Sequence, residues 1–397
     1  MKLRKPGLLP CIIIAMLLGI AAGFVSPDWL TRIFLTFNAI FSQFLGFVIP
    51  VLILALVAPA IADIGNGAGK MLVATALIAY FATVCSGLLS YFTGITLFPS
   101  MISPGQLQAV EQAAGEALKP YLTVPMPPLM DVTSALVLSF ILGLGASALK
   151  TDAMRLWLDD LRSIIMMVIK NAIIPLLPLY IFGIFLNMTV AGQVAVVLVT
   201  FAKIIGVIFV LHIGLMVAMY CVAAFFSRHS HNPFRLLWTM MPAYFTALGT
   251  QSSAATIPVT LKNSIRTGVN PDVAGFVIPL CATIHLSGSA LKIVACAMAL
   301  MIMQGTTVDF PTILYFISML AITMVAAPGV PGGAIMAALG VLSSILGFSE
   351  ADNALMIALY IAMDSFGTAC NVTCDGAIAL IIDRFFGKKQ HSSAVPA

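Results

Sequence analysis

Charged side chains are scarce in this sequence of 397 residues: Asp, Glu, Lys and Arg together make up 9% of it, whereas apolar residues reach 61%. Ordinary soluble domains carry about 25% charged residues. The mean hydropathy is +1.08 and the formal net charge only +4. A chain this long and this apolar must place most of its length in lipid. The composition therefore excludes a cytosolic enzyme, a nucleic-acid-binding protein and a secreted disulfide-rich domain.

Paired cysteine motifs are also missing. The seven cysteines, an odd number, are scattered through apolar stretches, and the sequence contains no Cys-x-x-Cys pair of the zinc or redox type. Cys370 and Cys374, one helical turn apart, come nearest to a soft-metal site. Free thiols that pack as small apolar side chains account for them more simply. We therefore expect no cofactor other than a coupling ion.

Long apolar runs fill the chain instead. Crossing the hydrocarbon core takes about 20 apolar residues, and eight runs meet or approach this length, at roughly 7–25, 34–62, 71–97, 128–149, 163–187, 194–226, 272–303 and 353–383. Two further apolar stretches, about 236–264 and 311–347, are interrupted by small and polar residues and are not simple spans. The first run resembles a cleaved leader, but another membrane segment follows it, so we interpret it as an uncleaved first helix.

The distribution of basic residues predicts the orientation, because Lys and Arg accumulate in cytoplasmic loops. With the N-terminus inside, the cytoplasmic side receives Lys70, Lys150, Arg155, Arg162, Arg228, Arg235, Lys262, Arg266, Arg384, Lys388 and Lys389. The loop around 100–125 carries Glu111 and Glu116 with only Lys119, and falls outside. We expect a multi-pass protein of the plasma (inner) membrane with both termini in the cytoplasm.

The second half of the chain repeats one unusual arrangement. A polar tip at 249–256 (GTQSSAAT) precedes an apolar helix that is interrupted at 285–289 (HLSGS), and a second tip at 327–333 (APGVPGG) precedes the polar segment 364–375. Broken helices survive in lipid only where they are buried in protein or line a water-filled cavity. Two such breaks at matching positions indicate the binding site of a transporter. The alternative is a pair of re-entrant packing elements.

Four polar residues form one stripe on the last helix, because Asp364, Thr368, Asn371 and Asp375 are spaced i, i+4, i+7 and i+11. A charge at the centre of a membrane helix costs roughly 2.5–3.5 kcal/mol on insertion scales, so two carboxylates on one face imply partners. These are a substrate ammonium, Na⁺, a proton or a basic residue. A purely structural salt bridge is the alternative.

The preceding helix carries a second polar set, His285, Ser289 and Lys292, spaced i, i+4 and i+7 and therefore predicted to share a face. A lone buried histidine is more commonly a hydrogen-bonded core residue than a functional group. Lys292 lies well inside its span and cannot easily extend to the membrane surface. It either neutralises Asp364 or Asp375 or meets a substrate carboxylate, and the sequence leaves these open.

These motifs resemble the dicarboxylate/amino acid:cation symporter family, which includes the glutamate transporters and an archaeal aspartate transporter. The strongest matches are 251–260 (QSSAATIPVT), 278–284 (IPLCATI), 329–332 (GVPG) and 371–375 (NVTCD). The resemblance covers most of the chain. It implies the glutamate-transporter-homologue fold: an all-α polytopic membrane protein with eight transmembrane helices and two re-entrant helical hairpins, related by inverted repeats.

The resemblance also implies a homotrimer in which a mobile transport domain moves across the membrane like an elevator, with the second hairpin as outer gate. The implied divisions are 1–70 (scaffold helices 1 and 2), 71–97 (helix 3, transport domain), 128–226 (helices 4 and 5 in the scaffold, helix 6 in the transport domain) and 232–390 (core of the transport domain).

By matching positions, the resemblance implies that Asp364 holds a substrate ammonium and that Asn371, with Ser252 and Ser253, holds its α-carboxylate. The remaining implied substrate-binding residues are Gln251, Val330, Pro331, Gly332, Ser289, Lys292, Gly367 and Thr368. One Na⁺ site is implied at Asp375 with backbone carbonyls near Cys281, His285 and Asn371. A second is implied at Thr283 with carbonyls of the second hairpin. A single carboxylate suits a monovalent ion.

The departures from the family pattern bear on the substrate. Gly367 stands where members that carry acidic substrates have an arginine, and Gln251 stands where some have an arginine in the first hairpin. Bidentate recognition of a side-chain carboxylate is therefore lost. Lys292 replaces a tyrosine, and His285 replaces an asparagine and introduces a group that titrates near neutral pH.

A further ion site of the family is expected to be absent. Ser287 replaces its aspartate, and approximate alignment places Ile78 and Ala79 where relatives have hydroxyls in the third helix.

The sequence and the resemblance thus predict a secondary symporter, coupled to Na⁺, H⁺ or both, that imports a small amino acid, expected to be neutral, by an elevator mechanism. The alternatives are a symporter of dicarboxylates or other carboxylates with Lys292 as the positive group, and a non-transporting sensor or channel-like relative. No nucleophile elbow or metal motif indicates an enzyme. The expected partners are a small-molecule substrate, the lipid bilayer and two further copies of the chain, without nucleic acid.

Overall fold

The computed structural model describes residues 8–65, 70–107, 118–149, 151–227, 232–306, 309–325, 327 and 332–387. All regular secondary structure in these ranges is helical, as predicted. Val330 and Pro331, both expected in the substrate site, lie outside the described residues. So do several charges used to predict the orientation, namely Glu111, Glu116, Lys150, Arg228, Lys388 and Lys389.

The first half of the chain forms long helices that follow the apolar runs. They are α1 (Leu8–Gly23), α2 (Asp28–Gly65), α3 (Lys70–Leu97), α4 (Val132–Ala148), α5 (Ala153–Val168), α6 (Ile174–Val190) and α7 (Val194–Phe226). A 3₁₀ turn, Phe98–Ser100, follows α3, and a π-helical turn, Ile169–Ile173, joins α5 to α6. Asp131 begins α4 by accepting hydrogen bonds from the Ser134 hydroxyl and N–H, and the hydroxyl bond lowers the pKa of this exposed carboxyl.

The second half consists of shorter helices separated by breaks. They are α8 (Pro233–Thr250), α9 (Ser253–Arg266), α10 (Pro271–Ile284), α11 (Ser287–Gln304), α12 (Phe310–Val325), α13 (Gly333–Leu346), α14 (Glu350–Ala362) and α15 (Asp364–Phe386). The pairs α8–α9 and α12–α13 each pack together, and each is joined at one of the two polar tips. The interruptions predicted from glycine, proline and serine therefore coincide with real helix ends.

Six stretches are long and apolar enough to cross a membrane, namely Asp28–Ala62, Lys70–Ser100, Ala153–Val190, Val194–Phe226, Pro271–Gln304 and Asp364–Phe386. The α1 and α4 helices are apolar but shorter. The all-helical, membrane-type fold is thus confirmed, while eight spans with two re-entrant hairpins stays a prediction. Of these six stretches, α10–α11 and α15 have the lowest hydropathy, and they are also the most deeply enclosed by the protein. In the most apolar part of each, 89% and 94% of the residues are buried.

Two predicted spans are broken, one at the interruption that the sequence indicated and one at a position that it did not indicate. The expected span 272–303 divides at His285 and Leu286, whose backbone leaves the helical region. His285 therefore does not share a helical face with Ser289 and Lys292, because the break changes the helical phase. The expected span 353–383 likewise divides at Met363, so that Asp364 opens α15.

The tip of the first hairpin is a tight reversal of the backbone. The α8 helix ends at Gln251, which adopts a left-handed conformation with φ of 55° and donates its N–H to Ala247 O at 2.8 Å. Ser252 then begins α9, and its Oγ accepts the Ala255 N–H at 3.3 Å. Ser253, the first residue of α9, lines the cavity described next.

Candidate substrate and ion site

A small cavity lies where the hairpin tips, the break between α10 and α11 and one face of α15 converge. It holds about 360 Å³ of empty space, part of it open to the surroundings. The part of this space that admits the centres of water molecules measures about 30 Å³, so the cavity is small and tightly lined. Its lining residues are Gln251, Ser253, Ala282, Thr283, Leu286, Ser289, Ala327, Ala334, Tyr360, Asp364, Thr368 and Asn371.

Seven of the predicted site residues line this cavity: Gln251, Ser253, Thr283, Ser289, Asp364, Thr368 and Asn371. Ser252 lies at the adjoining helix start, and Gly332 contacts Asp364. The described atoms of Lys292, Gly367, Cys281, His285 and Asp375 do not contribute to the lining. The sequence interpretation missed Ala282, Leu286, Ala327, Ala334 and Tyr360. Tyr360 lies four residues before Asp364 but across the break at Met363, so helical spacing could not place it at the cavity.

The polar stripe on α15 is confirmed as a buried feature. Asp364, Thr368, Asn371 and Asp375 are all less than 9% exposed and lie in the most sheltered of the helices long enough to span. The first three face the cavity, whereas Asp375 lies one turn beyond it. The polar stripe therefore extends over two environments. Its first three residues border the cavity, and Asp375 lies in the closed interior beyond it.

Lys292 forms an ion pair with Asp364 and not with Asp375, the other carboxylate of the protein that the sequence left open. Its Nζ lies 3.3 Å from Asp364 Oδ1, 3.4 Å from the carbonyl oxygens of Tyr360 and Met363, and 3.4 Å from the centre of the Tyr360 ring. The side chain is completely buried. The other oxygen of Asp364, Oδ2, accepts the Gly332 N–H at 2.8 Å. The positive charge of Lys292 and the backbone N–H of Gly332 thus stabilise the Asp364 carboxylate.

Gly367 makes this ion pair possible. A Cβ at this position would lie 2.7 Å from Lys292 Nζ and 2.9 Å from Lys292 Cε, closer than real side-chain contacts allow. The space that a side chain at 367 would occupy is therefore filled by the end of Lys292. The absence of a side chain at Gly367 therefore adds no space to the cavity, because the lysine from α11 fills it.

Asn371 organises the start of α11. Its Oδ1 accepts the N–H of Gly288 at 2.8 Å and of Ser289 at 3.3 Å, and its Nδ2 donates to Ser289 Oγ at 3.0 Å. Tyr360 also donates to Ser289 Oγ, at 2.9 Å. The first N–H groups of a helix lack partners within the helix. The Asn371 side chain supplies the acceptor for two of these N–H groups at the start of α11. These hydrogen bonds hold the Asn371 amide at the edge of the cavity.

Asp375 is paired with His285 beneath the cavity. His285 Nδ1 lies 2.8 Å from Asp375 Oδ1, and both residues are almost completely buried. Asp375 Oδ2 and His285 Nε2 have no hydrogen-bond partner among the residues that the structure describes. Since buried polar atoms are nearly always satisfied, Asp375 Oδ2 is the oxygen that fits a cation. The His285 side chain occupies the other oxygen, which the sequence did not predict.

The third helix meets α11 through residues other than those expected. Ser86 Oγ lies 2.8 Å from Ser287 O, and Ser90 Oγ donates to Leu291 O at 2.8 Å. The alignment that places Ile78 and Ala79 where relatives have hydroxyls stays a prediction, while Ser86 and Ser90 are the α3 hydroxyls that meet α11. Thr283, expected in a second ion site, donates its hydroxyl to Leu280 O at 2.8 Å and borders the cavity.

Broken membrane helices around a polar cavity are the architecture of a secondary transporter. The chain belongs to the sodium:dicarboxylate symporter family, which it matches over residues 8–385. It is also similar to the serine/threonine transporter SstT from several strains of Acinetobacter baumannii, among them strain AYE, with 28% identity over 390 residues. These matches cover 94% of this chain and 95% of the relatives. The protein is thus a multi-pass membrane transporter and not an enzyme, and the predicted family is confirmed.

Proposed function

We propose that the protein is a secondary symporter, coupled to Na⁺, H⁺ or both, that imports a small neutral amino acid. The observation that carries this proposal is the composition of the cavity. Hydroxyl and amide groups line it, and Asp364 is the charged group among the described lining residues. A small zwitterion needs an anion for its ammonium group and N–H or O–H donors for its carboxylate, and the cavity offers both.

The substrate carboxylate is proposed to bind at the first hairpin. Ser253 opens α9 and lines the cavity, and the unpaired N–H groups of a helix N-terminus favour an anion. Thr368 and Asn371 face this end from α15. Without an arginine among the described lining residues, a second carboxylate on the substrate has no bidentate partner. The relatives' printed name, serine/threonine transporter, supports a neutral amino acid.

The coupling cation is proposed to bind at Asp375 Oδ2 together with backbone carbonyls of Cys281, His285 and Asn371. The unsatisfied buried oxygen supports this position. A second cation is proposed at Thr283 and the carbonyls of the second hairpin. The family's description supports sodium, and the His285 side chain on Asp375 leaves a proton as the second candidate ion.

The transport step is proposed to be an elevator movement. The moving part consists of α3, α7 and the helices from α8 to α15, and α1, α2 and α4 to α6 form the scaffold of a homotrimer. The segregation of contacts supports this division, since α1 packs on α6 and α2 on α4, while α3 packs on α11. Both termini are proposed to lie in the cytoplasm.

Uptake into proteoliposomes tests the proposal. The purified chain is reconstituted, and uptake of labelled L-serine, L-alanine, L-aspartate and succinate is followed under an inward Na⁺ gradient, a proton gradient, or neither. We expect saturable, gradient-dependent accumulation of the neutral amino acids and little of the diacids. Accumulation of succinate instead would overturn the neutral-amino-acid assignment. Binding without counterflow would identify a sensor, and flux without saturation would identify a channel.

A further inference from the structure

The carboxylate at the centre of the substrate site already has a cation of its own. Asp364 Oδ1 lies 3.3 Å from Lys292 Nζ, and Oδ2 accepts the Gly332 N–H at 2.8 Å. Burying a carboxylate without a positive partner is strongly unfavourable. A site in which only the substrate's ammonium supplied this partner would leave Asp364 unpaired between transport events. Here the protein itself supplies it.

The ammonium of Lys292 is held in place from several sides. Two backbone carbonyls and the face of the Tyr360 ring surround Nζ at 3.4 Å. Gly367 leaves the space that the last atoms of the side chain occupy. The side chain is completely buried and does not line the cavity. Lys292 therefore acts on a substrate through Asp364 and not by touching it.

A substrate ammonium consequently gains less from Asp364 than it would from an unpaired carboxylate. A substrate ammonium that approaches Asp364 from the cavity would lie within a few ångströms of Lys292 Nζ, and like charges at that separation repel in a sheltered site. A hydroxyl group in the same position meets no such repulsion. It donates one hydrogen bond to a carboxylate that still has free acceptor positions, since a carboxylate offers about four.

We propose that Lys292 is a built-in counter-cation of Asp364 that makes the α-ammonium group of a substrate dispensable, so that the site also accepts small 2-hydroxy carboxylic acids. Lys292 is thereby a positioning residue for substrate specificity. The inference rests on the proposed function, because it concerns the same cavity and the same movement. It names a wider substrate class: short monocarboxylates that carry either an amino or a hydroxyl group at carbon 2.

Matched substrate pairs test this inference. Wild-type protein in proteoliposomes is assayed with L-serine against glycerate and with L-alanine against lactate, each pair differing only in the group at carbon 2. We expect each hydroxy acid to be transported with a half-saturating concentration within about tenfold of its amino acid, a difference of about 1.4 kcal/mol or less. Hydroxy acids that fail to compete at about a hundredfold excess over the amino acid would overturn the inference.

Lys292→Met supplies the decisive variant, since it keeps the length of the side chain and removes its charge. We expect the preference to shift toward the amino acids by about tenfold or more, because Asp364 then depends on the substrate for a cation. Lys203→Met is the control, because the Lys203 ammonium, on α7, donates a hydrogen bond to Met101 O at 3.3 Å and does not line the cavity. A merely structural role of Lys292 would lower the amount of folded protein and leave this preference unchanged, which would overturn the inference.

Gly367→Ala is the second variant should Lys292→Met fail to fold. The added Cβ would lie 2.7 Å from Nζ and displace the ammonium while the lysine remains. We expect the same shift toward amino acids, and none for Gly275→Ala in α10, where no atom lies within 4 Å of the added Cβ. If neither substrate class is taken up by wild-type protein, the proposed function itself fails. Uptake restricted to amino acids, with an unchanged preference in both variants, rejects this inference alone.

Discussion

At the scale of single residues, the two carboxylates of the polar stripe on α15 differ in whether both of their oxygens have partners. Asp364 has both oxygens engaged, by Lys292 and by the Gly332 N–H. Asp375 has one oxygen engaged by His285 and one without a partner among the described residues. A buried anion with an unsatisfied oxygen attracts a cation more strongly than one that is already neutralised. The demand for an external cation is therefore greater at Asp375.

Asp375→Asn should weaken the dependence of transport on the coupling ion. Asparagine keeps the shape and can still contact His285, but it removes the charge at the unsatisfied oxygen. We expect the Na⁺ concentration for half-maximal uptake to rise by about tenfold or more, as loss of a charge-assisted contact commonly produces. The measurement is uptake against external Na⁺ at fixed pH and against pH at fixed Na⁺.

Asp383→Asn provides the matched control for that experiment. Asp383 is buried on the same helix, and its Oδ1 accepts the Asn270 N–H at 3.0 Å, away from the cavity. The control should leave the ion dependence unchanged. Wild-type dependence on both Na⁺ and protons in Asp375→Asn would reject the assignment of a cation to this carboxylate.

At the scale of elements, the tips and breaks of helices hold the site together. Asn371 of α15 satisfies the first N–H groups of α11, and Lys292 of α11 neutralises the first residue of α15. Each of the two helices thus provides a side chain that interacts with the first residues of the other. At the first hairpin, Gln251 turns the chain in a left-handed conformation that favours glycine.

Gln251→Gly should stabilise the first hairpin. A residue other than glycine in the left-handed region costs roughly 1 kcal/mol, and Gln251 has a φ of 55°. We expect a higher midpoint of thermal unfolding for Gln251→Gly in detergent. Gln251→Ala is the control, because it removes the same side chain and retains the strain. A midpoint that rises equally in both variants would show that the side chain, and not the backbone, is responsible.

The sequence predicted the elements well and their contacts less well, for a physical reason. Apolar runs, glycine and proline act locally, so the helices and most of the breaks between them were found near their true positions. The partner of Lys292 depends on the phase between α11 and α15, and both helices begin at breaks that shift it. The pairing of His285 with Asp375 was missed for the same reason, since His285 belongs to the break and not to either helix face.

At the scale of the whole molecule, the polar residues of the central helices lie inside and many large apolar side chains lie on the surface. The polar residues of α10, α11 and α15 are enclosed by other helices, whereas large apolar side chains such as Phe225 and Trp238 are 81% and 77% exposed. Such an exterior is stable only in contact with lipid or with other copies of the chain. The surface is therefore consistent with a membrane protein and leaves its assembly to experiment.

Native mass spectrometry in detergent should show the proposed homotrimer, at three times the 42.0 kDa of one chain. The apolar outer faces supply the area for such contacts without further polar groups. Analysis after chemical cross-linking in native membranes provides the control against detergent artefacts. A monomer under both conditions would reject the trimer and would leave the cavity and its chemistry unaffected.

Because Lys292 occupies the space beside Gly367, the residues that fit at these two positions depend on each other. A side chain at 367 would displace the end of the lysine, so an arginine there would compete with Lys292 for the space beside Asp364. Without the lysine, Asp364 would keep the Gly332 N–H as its partner among the described residues. Recognition of a second substrate carboxylate from position 367 therefore requires a change at Lys292 as well.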